Sequence, residues 1–183
     1  DNKLVGQKAA EYIAEKIGSG KVGIVEGAAG NTTSQQRTSG ATETWEGMDG
    51  IELVSSVPGD WDRMKSMDVA TAMITDIKAI YACNDVEALG VTEAVINAGK
   101  LGEIMIVGTD ATADGKASIQ KGEETASIGQ DNTGIGIASV KSAIKGVKEG
   151  FVPADHIGDE NYPVINYVDS FLVDSDNVAD YIQ

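Results

Sequence analysis

The chain has a single cysteine, a single histidine, three prolines and few aromatics, and its 14 Lys and Arg residues are outnumbered by 29 Asp and Glu. Each shortage excludes something. One cysteine builds neither a disulfide framework nor a paired-thiolate metal site, and Cys83, inside the apolar run Ala79-Ile80-Tyr81-Ala82-Cys83, reads as a small buried hydrophobe. His156 stands beside Pro153 and Asp155 in a loop-like stretch, with no second His or Cys for a zinc site and no activated nucleophile near it, so it reads as a surface residue. The formal charge of −15 repels phosphate backbones and anionic lipid, which makes nucleic acid and membrane surfaces poor partners. No apolar run approaches the ~20 residues needed to span a bilayer. Asp1-Asn2-Lys3 lacks the charged-then-apolar pattern of a targeting segment, so any signal peptide is expected to have been removed or to lie outside the chain. What is present is a chain of 183 residues, 42% hydrophobic, enough for a sizeable core in one domain or two small ones.

The patterning alternates. Leu4, Val5, Ala9, Tyr12, Ile13 and Ile17 recur at helical spacing and are stopped by Gly18-Ser19-Gly20. Lys21 to Glu26 is a short strand ending in Gly27-Ala-Ala-Gly30, after which a helix is predicted from about Ser34 to Trp45. Ile51 to Val57 is the next strand, closed by Pro58-Gly59, with Asp60 as the expected cap of a helix carrying Met64, Met67, Val69, Ala70, Met73 and Ile74. Ala79 to Cys83, Ile104 to Val107 and Thr125 to Gln130 complete five strands. Between them lie a helix through Ala88, Val91 and Val95, stopped by Gly99, and a short helix from Asp114 to Gln120. This order predicts an α/β fold: right-handed βαβ units forming an open parallel five-stranded sheet with helices on both faces. After Gln130 a helix from Thr133 to Val147 and one or two closing strands, Pro163 to Val168 and Phe171 to Val173, are expected.

Ligands of such sheets bind outside the carboxyl ends of the strands. The residues there are Gly27 to Asn31, Trp61, Asn84-Asp85, Asp110 and Gln130. Gly27-Ala-Ala-Gly30-Asn31-Thr32-Thr33 is either a tight turn or an anion cradle. It lacks the Gly-Lys-Ser/Thr ending of a P-loop and the three-glycine dinucleotide spacing, though Gly-Asn-Thr after a strand is similar to the phosphate loop of flavodoxins. Trp61, among polar neighbours, suits stacking on the apolar C–H face of a sugar. Asn84, Asp110 and Gln130 end successive strands and offer the mixed donors and acceptors that hydroxyls require, although Asn84 as a turn former and Asp110 as a helix cap are equally open. Asp85 and Asp110 could in principle form an acid/base pair, but no nucleophile, base and orienting set accompanies them, so no enzyme is expected. Asp174-Ser-Asp176-Asn177 lacks the Gly and distal Glu of a calcium loop and reads as a solvated acidic turn.

Asp1-Asn2 with Gly6, Gly30 with Arg37-Thr-Ser-Gly40, Asp60-Trp61-Asp62-Arg63, Ala82-Cys-Asn84-Asp85 with Ala88-Leu-Gly90, Val107-Gly-Thr-Asp110 and Ser127-Ile-Gly-Gln130 together resemble, in order and spacing, the type I periplasmic sugar-binding proteins of ABC transporters, the ribose- and galactose-binding group. The resemblance covers Asp1 to about Val173. It implies a monosaccharide ligand held in an interlobe cleft, with Trp61 stacking on it and Asn84, Asp110 and Gln130 bonding its hydroxyls. Asn31, Thr33, Gln35 and Arg37 would supply further contacts, with Gln35 where ribose-binding members carry a gripping arginine. No catalytic residue, metal or cofactor is implied. The implied setting is periplasmic or extracellular, with a lipid-anchored precursor possible and an ABC permease as partner. Residues 1–130 correspond to the second lobe, 131–162 to a crossover helix and connection belonging to the first lobe, and 163–183 to a tail returning to the second. Most of the first lobe is then expected as a separate chain or replaced by a second copy. A flavodoxin-like FMN carrier and the effector core of a LacI-type repressor share enough of this pattern to stand as alternatives.

Overall fold

The computed structural model describes residues 1–150 and 168–182. They divide into two compact units, Asn2–Gly129 with Phe171–Gln183, and Asp1 with Gln130–Ser170.

In the larger unit, helices and strands alternate as the patterning requires: α1 (Asn2–Ile17), β1 (Gly20–Glu26), α2 (Thr32–Glu46), β2 (Ile51–Pro58), α3 (Arg63–Met73), β3 (Ala79–Ala82), α4 (Asp85–Asn97), β4 (Met105–Asp110), α5 (Ala113–Gln120) and β5 (Ala126–Gln130). A further strand, β6 (Ser170–Asp174), precedes a 3-10 helix at Val178–Tyr181. The sheet order is β2-β1-β3-β4-β5-β6, and the pairs from β2 to β5 are all parallel. The sheet therefore has six strands where the patterning through Gln130 gives five. The added strand covers the β5 edge, where the Phe171 ring fills the space a side chain on Gly129 would need, and Val173 is buried against Ile119 and Val178. An uncovered edge would present unpaired N–H and C=O groups, and the short β6 removes that liability. Of the one or two closing strands expected, β6 contains Phe171 to Val173; 163–167 and His156 lie outside the described residues.

Alternation along the strands sorts the core into two layers. Val22, Ile24, Ala79, Tyr81 and Val107 pack with Val5, Ala9, Ile13, Ala41 and Trp45 of α1 and α2. Val25, Ile80, Ala82 and Ile106 pack with Ala70, Ala88, Val91 and Val95 of α3 and α4. The α1–α2 contact is backbone-close: a Cβ on Gly6 would lie 2.0 Å from the Arg37 carbonyl oxygen, and one on Gly40 would lie 2.1 Å from that of Lys3. Trp45 belongs to this packing, its indole N–H donating to the Ala10 carbonyl at 3.1 Å. Cys83 is fully buried, and burial pushes its thiol up to about 12, as a small hydrophobe requires.

In the other unit, α6 (Asn132–Glu149) is capped by Asp131, whose carboxylate accepts from the Gly134 N–H at 2.8 Å. None of its residues is buried, and Ile135, Ile137, Val140, Ile144 and Val147 are exposed. Among the described residues no helix is long and apolar enough to cross a membrane.

Candidate functional site

The carboxyl ends of the strands gather the polar residues singled out above, and each is positioned by a local device. Asn31 is the N-cap of α2, its Oδ1 accepting from the Ser34 N–H at 3.1 Å. Thr33 is half-buried and Gln35 exposed in the first turn of that helix. Asn84 is the N-cap of α4, accepting from the Glu87 N–H at 2.8 Å, so its turn-forming role is real and leaves its amide N–H donors for other uses. Gln130 is the last residue of β5, one beyond the Gly129 that pairs with Asp110.

Arg37 and Asp110 form a unit. Arg37 is 5% exposed. Its Nη1 donates to the Cys83 carbonyl at 2.5 Å, its Nη2 to Asp110 Oδ1 at 3.2 Å and its Nε to Asn2 Oδ1 at 3.3 Å. The guanidinium is thus spent largely on holding the ends of β3 and β4 in register, and it aims Asp110, which keeps a part-exposed carboxylate. Asp110 is not the cap of α5. That role falls to Thr112, whose hydroxyl accepts from the Gly115 N–H at 3.1 Å. Asp110 and Ala111 instead turn through φ values of 106° and 48°, sparsely populated for residues with a Cβ.

Trp61 sits on an equally unusual turn. Asp60 and Trp61 have φ of 57° and 61°, a left-handed conformation costing ~1–2 kcal/mol per residue. The expected cap at Asp60 is therefore displaced to Asp62, whose extended backbone and Oδ1, accepting from the Lys65 N–H at 2.8 Å, start α3. The Asp62 N–H closes the turn by donating to the Gly59 carbonyl at 3.0 Å, and further contacts reach it from outside. A Cβ on Gly27 would lie 2.0 Å from the indole ring, so the ring rests on the bare end of β1, and Trp61 N–H donates to Glu87 Oε1 at 3.0 Å.

Beneath this rim lie three buried carboxyl groups, Asp85, which the strand-end pattern marks, and Glu87 and Glu124, which it does not. Asp85, 1% exposed, accepts from Ser127 Oγ at 2.6 Å, from the Thr112 N–H at 2.6 Å and from Thr112 Oγ1 at 2.8 Å. It ties α4 to β5 and to the strained β4–α5 turn, so it braces Asp110 from below. Burial pushes it up to about 6 against these hydrogen bonds. Glu87 is pushed up to about 8 by burial, and Glu124 lies well above the ordinary range for the same reason. Only their apolar neighbours could have hinted at these positions: Glu87 falls on the inward stripe of Ala88, Val91 and Val95, and Glu124 just before β5. Asp174, read as solvated, is 8% exposed, accepting from Tyr12 Oη at 3.2 Å and from the Asp176 N–H at 3.1 Å. The reason is that β6 draws it into the sheet.

An open parallel sheet with hydrogen-bonding groups and an aromatic at its carboxyl edge is suited to holding a small polar ligand. The periplasmic binding protein domain model matches residues 1–150, and the chain belongs to that family. It is 41% identical over 179 residues to the D-allose-binding periplasmic protein of Escherichia coli, covering 94% of this chain and 56% of that one. To the ribose import binding protein RbsB of Escherichia coli it is 36% identical over 160 residues, with coverages of 85% and 53%. The chain thus spans a little over half the length of these relatives. Among solved structures it is similar to an ABC transporter periplasmic solute-binding protein from Actinobacillus succinogenes with bound D-allose, with a TM-score of 0.87, 28% identity and coverages of 99% and 61%. A solute-binding protein from Bacillus halodurans with bound myo-inositol gives a TM-score of 0.84 at 27% identity, with the same coverages. The family match sets aside the flavodoxin-like alternative.

Proposed function

We propose that this chain supplies the sugar-binding lobe of the extracytoplasmic substrate-binding component of an ABC transporter, for a monosaccharide of the allose and ribose kind. The observation that carries the reading is the convergence of Trp61, Asn84 and the Arg37–Asp110 pair on one carboxyl edge, in a chain 41% identical to a D-allose-binding protein. In this reading the indole stacks on the C–H face of the sugar ring. Asp110, already aimed by Arg37, accepts from sugar hydroxyls through charge-assisted bonds, while Asn84 and Gln130 donate and accept around the ring. Asn31, Thr33 and Gln35 add polar contacts from the start of α2.

Sugar hydroxyls bonded in this way stay strong only when water is excluded from the other face. The relatives' greater length and the exposed apolar face of α6 support a second lobe that closes over the sugar by hinge motion, and the closed form is what a permease would recognise. Calorimetric titration of D-allose and D-ribose into a protein carrying both lobes tests the reading. Saturable binding with one site per chain supports it. Absence of binding to these and other aldoses contradicts it.

A further inference from the structure

Asp110 and Ala111 take positive φ in succession, 106° and 48°, where residues with a Cβ rarely sit, so the turn that presents the Asp110 carboxylate needs a brace from its surroundings. Arg37 orients only the side chain. The backbone is held from the buried side, by one carboxyl. Asp85 Oδ2 accepts from the Thr112 N–H at 2.6 Å and from the Thr112 hydroxyl at 2.8 Å, while its Oδ1 accepts from the Ser127 hydroxyl at 2.6 Å. Because the Ser127 O–H is committed to Asp85, its oxygen is left to accept, and it takes the Ala111 N–H at 2.9 Å. Both N–H groups that follow Asp110 are thus fixed by Asp85, one directly and one through Ser127. Two further observations separate this from helix capping. Asp85 is the first residue of α4, but the cap of that helix is Asn84. The chain also clears room for the carboxyl: a Cβ on Gly115 would lie 2.4 Å from Asp85 Oδ2, and one on Gly108 would lie 2.6 Å from Asp85 Oδ1 and from Glu124 Oε1. Neither glycine has a positive φ, so each missing side chain serves space and not backbone conformation.

We propose that Asp85, acting with Ser127, is a positioning residue for sugar recognition: it holds the strained turn that aims Asp110, and sugar affinity depends on it through Asp110. The sugar half of this inference rests on the reading of Asp110 as a ligand of the sugar.

Each member of the relay has a defined loss. Ser127→Ala leaves the Ala111 N–H without its acceptor and Asp85 Oδ1 without its donor. Asp85→Asn keeps the shape but turns an amide nitrogen toward groups that donate. In both, the turn loses what offsets its strain, so Asp110 and Ala111 relax toward negative φ and carry the carboxylate off the line set by Arg37. Ser118 provides the control. Its hydroxyl, on α5, is buried and has no hydrogen-bond partner among the described residues, so Ser118→Ala makes the same truncation outside the relay.

The test has two arms. In the first, three-bond HN–Hα couplings of Asp110 and Ala111, measured by NMR on this chain without sugar, report φ directly. The parent and Ser118→Ala should share one set of couplings, and Ser127→Ala and Asp85→Asn should depart from it. Far-UV circular dichroism confirms that each variant is folded, and if Asp85→Asn is not, Ser127→Ala decides. Parental couplings in folded Ser127→Ala overturn the proposal. The second arm is calorimetry with D-allose on a two-lobed protein. Ser127→Ala should weaken binding about tenfold in the parent but less than about twofold in the Asp110→Asn background, with Ser118→Ala binding as the parent does. Equal losses in both backgrounds are the mark of a merely structural role and also overturn the proposal. Should the couplings move as expected while Asp110→Asn binds D-allose as tightly as the parent, Asp85 and Ser127 keep their hold on the turn and the assignment of Asp110 to the sugar falls.

Discussion

Asp110 carries the sharpest single-residue consequence. Its carboxylate is turned outward by a φ of 106°, oriented by Arg37 and relieved of capping duty by Thr112. Asp110→Asn preserves shape but converts an acceptor-only group into a mixed one, so a sugar hydroxyl and Arg37 both lose charge-assisted partners worth ~1.5–3 kcal/mol. Affinity for the sugar should fall by about tenfold or more, as calorimetry would read, while the start of α5 keeps its cap. An affinity equal to the parent's would remove Asp110 from the site. The residue types at the rim were legible because a strand-end Asn, Asp or Gln stands out against apolar neighbours. The hydrogen-bond economy behind them was not. Nothing in the spacing of Arg37 says that its guanidinium is buried on the Cys83 carbonyl, and the capping roles of Asp60 and Asp62 are exchanged because only the backbone twist at Asp60 and Trp61 distinguishes them.

Elements, by contrast, follow closely from periodicity. The helices and strands from α1 to β5 fall where apolar spacing and glycine stops put them, since the helices turn an apolar face inward and the central strands send alternate side chains to the two main core layers. The strand added at the sheet edge was legible as a short apolar run but not as a neighbour of β5, because its partner lies some forty residues away in sequence. The glycine contacts between α1 and α2 yield a direct expectation: Gly40→Ala would set a Cβ 2.1 Å from the Lys3 carbonyl oxygen, forcing the helices apart at a cost of ~1–3 kcal/mol. Thermal unfolding checks this, and an unchanged Tm would mean that the helices slide apart freely. A second expectation concerns pH. Asp85, Glu87 and Glu124 are all raised by burial, so between the ordinary carboxylate range and their native values the folded chain binds more protons than the unfolded one. Their contribution is complete below the ordinary range and is lost as pH climbs through about 6 for Asp85 and about 8 for Glu87. The relief of self-repulsion in a chain of charge −15 acts in the same direction. Melting should therefore be higher in mild acid than in mild alkali, and Glu87→Gln should reduce the difference. A Tm that rises steadily from pH 6 to 9 would contradict the burial of these groups.

For the molecule as a whole, function in the proposed reading depends on closure of a second lobe over this one. In that reading the lobe offers one surface to a sugar, and α6 carries Ile135, Ile137, Val140, Ile144 and Val147 without burying them. An apolar stripe of that extent is expected to be covered, and its cover is proposed to be the first lobe, which also supplies the second wall of the cleft. Sequence made the stripe visible and its partner only inferable, since a helix's amphipathicity states that a face is buried and not against what. The most direct measurement of the central claim is tryptophan fluorescence in a two-lobed protein titrated with D-allose or D-ribose, compared with its Trp61→Ala variant. The account predicts a saturable change in the parent, and in the variant loss of most of that signal with affinity weaker by ~1–3 kcal/mol from lost stacking and burial. A variant that binds and responds like the parent would contradict it, and would place the sugar away from the carboxyl edge of this sheet.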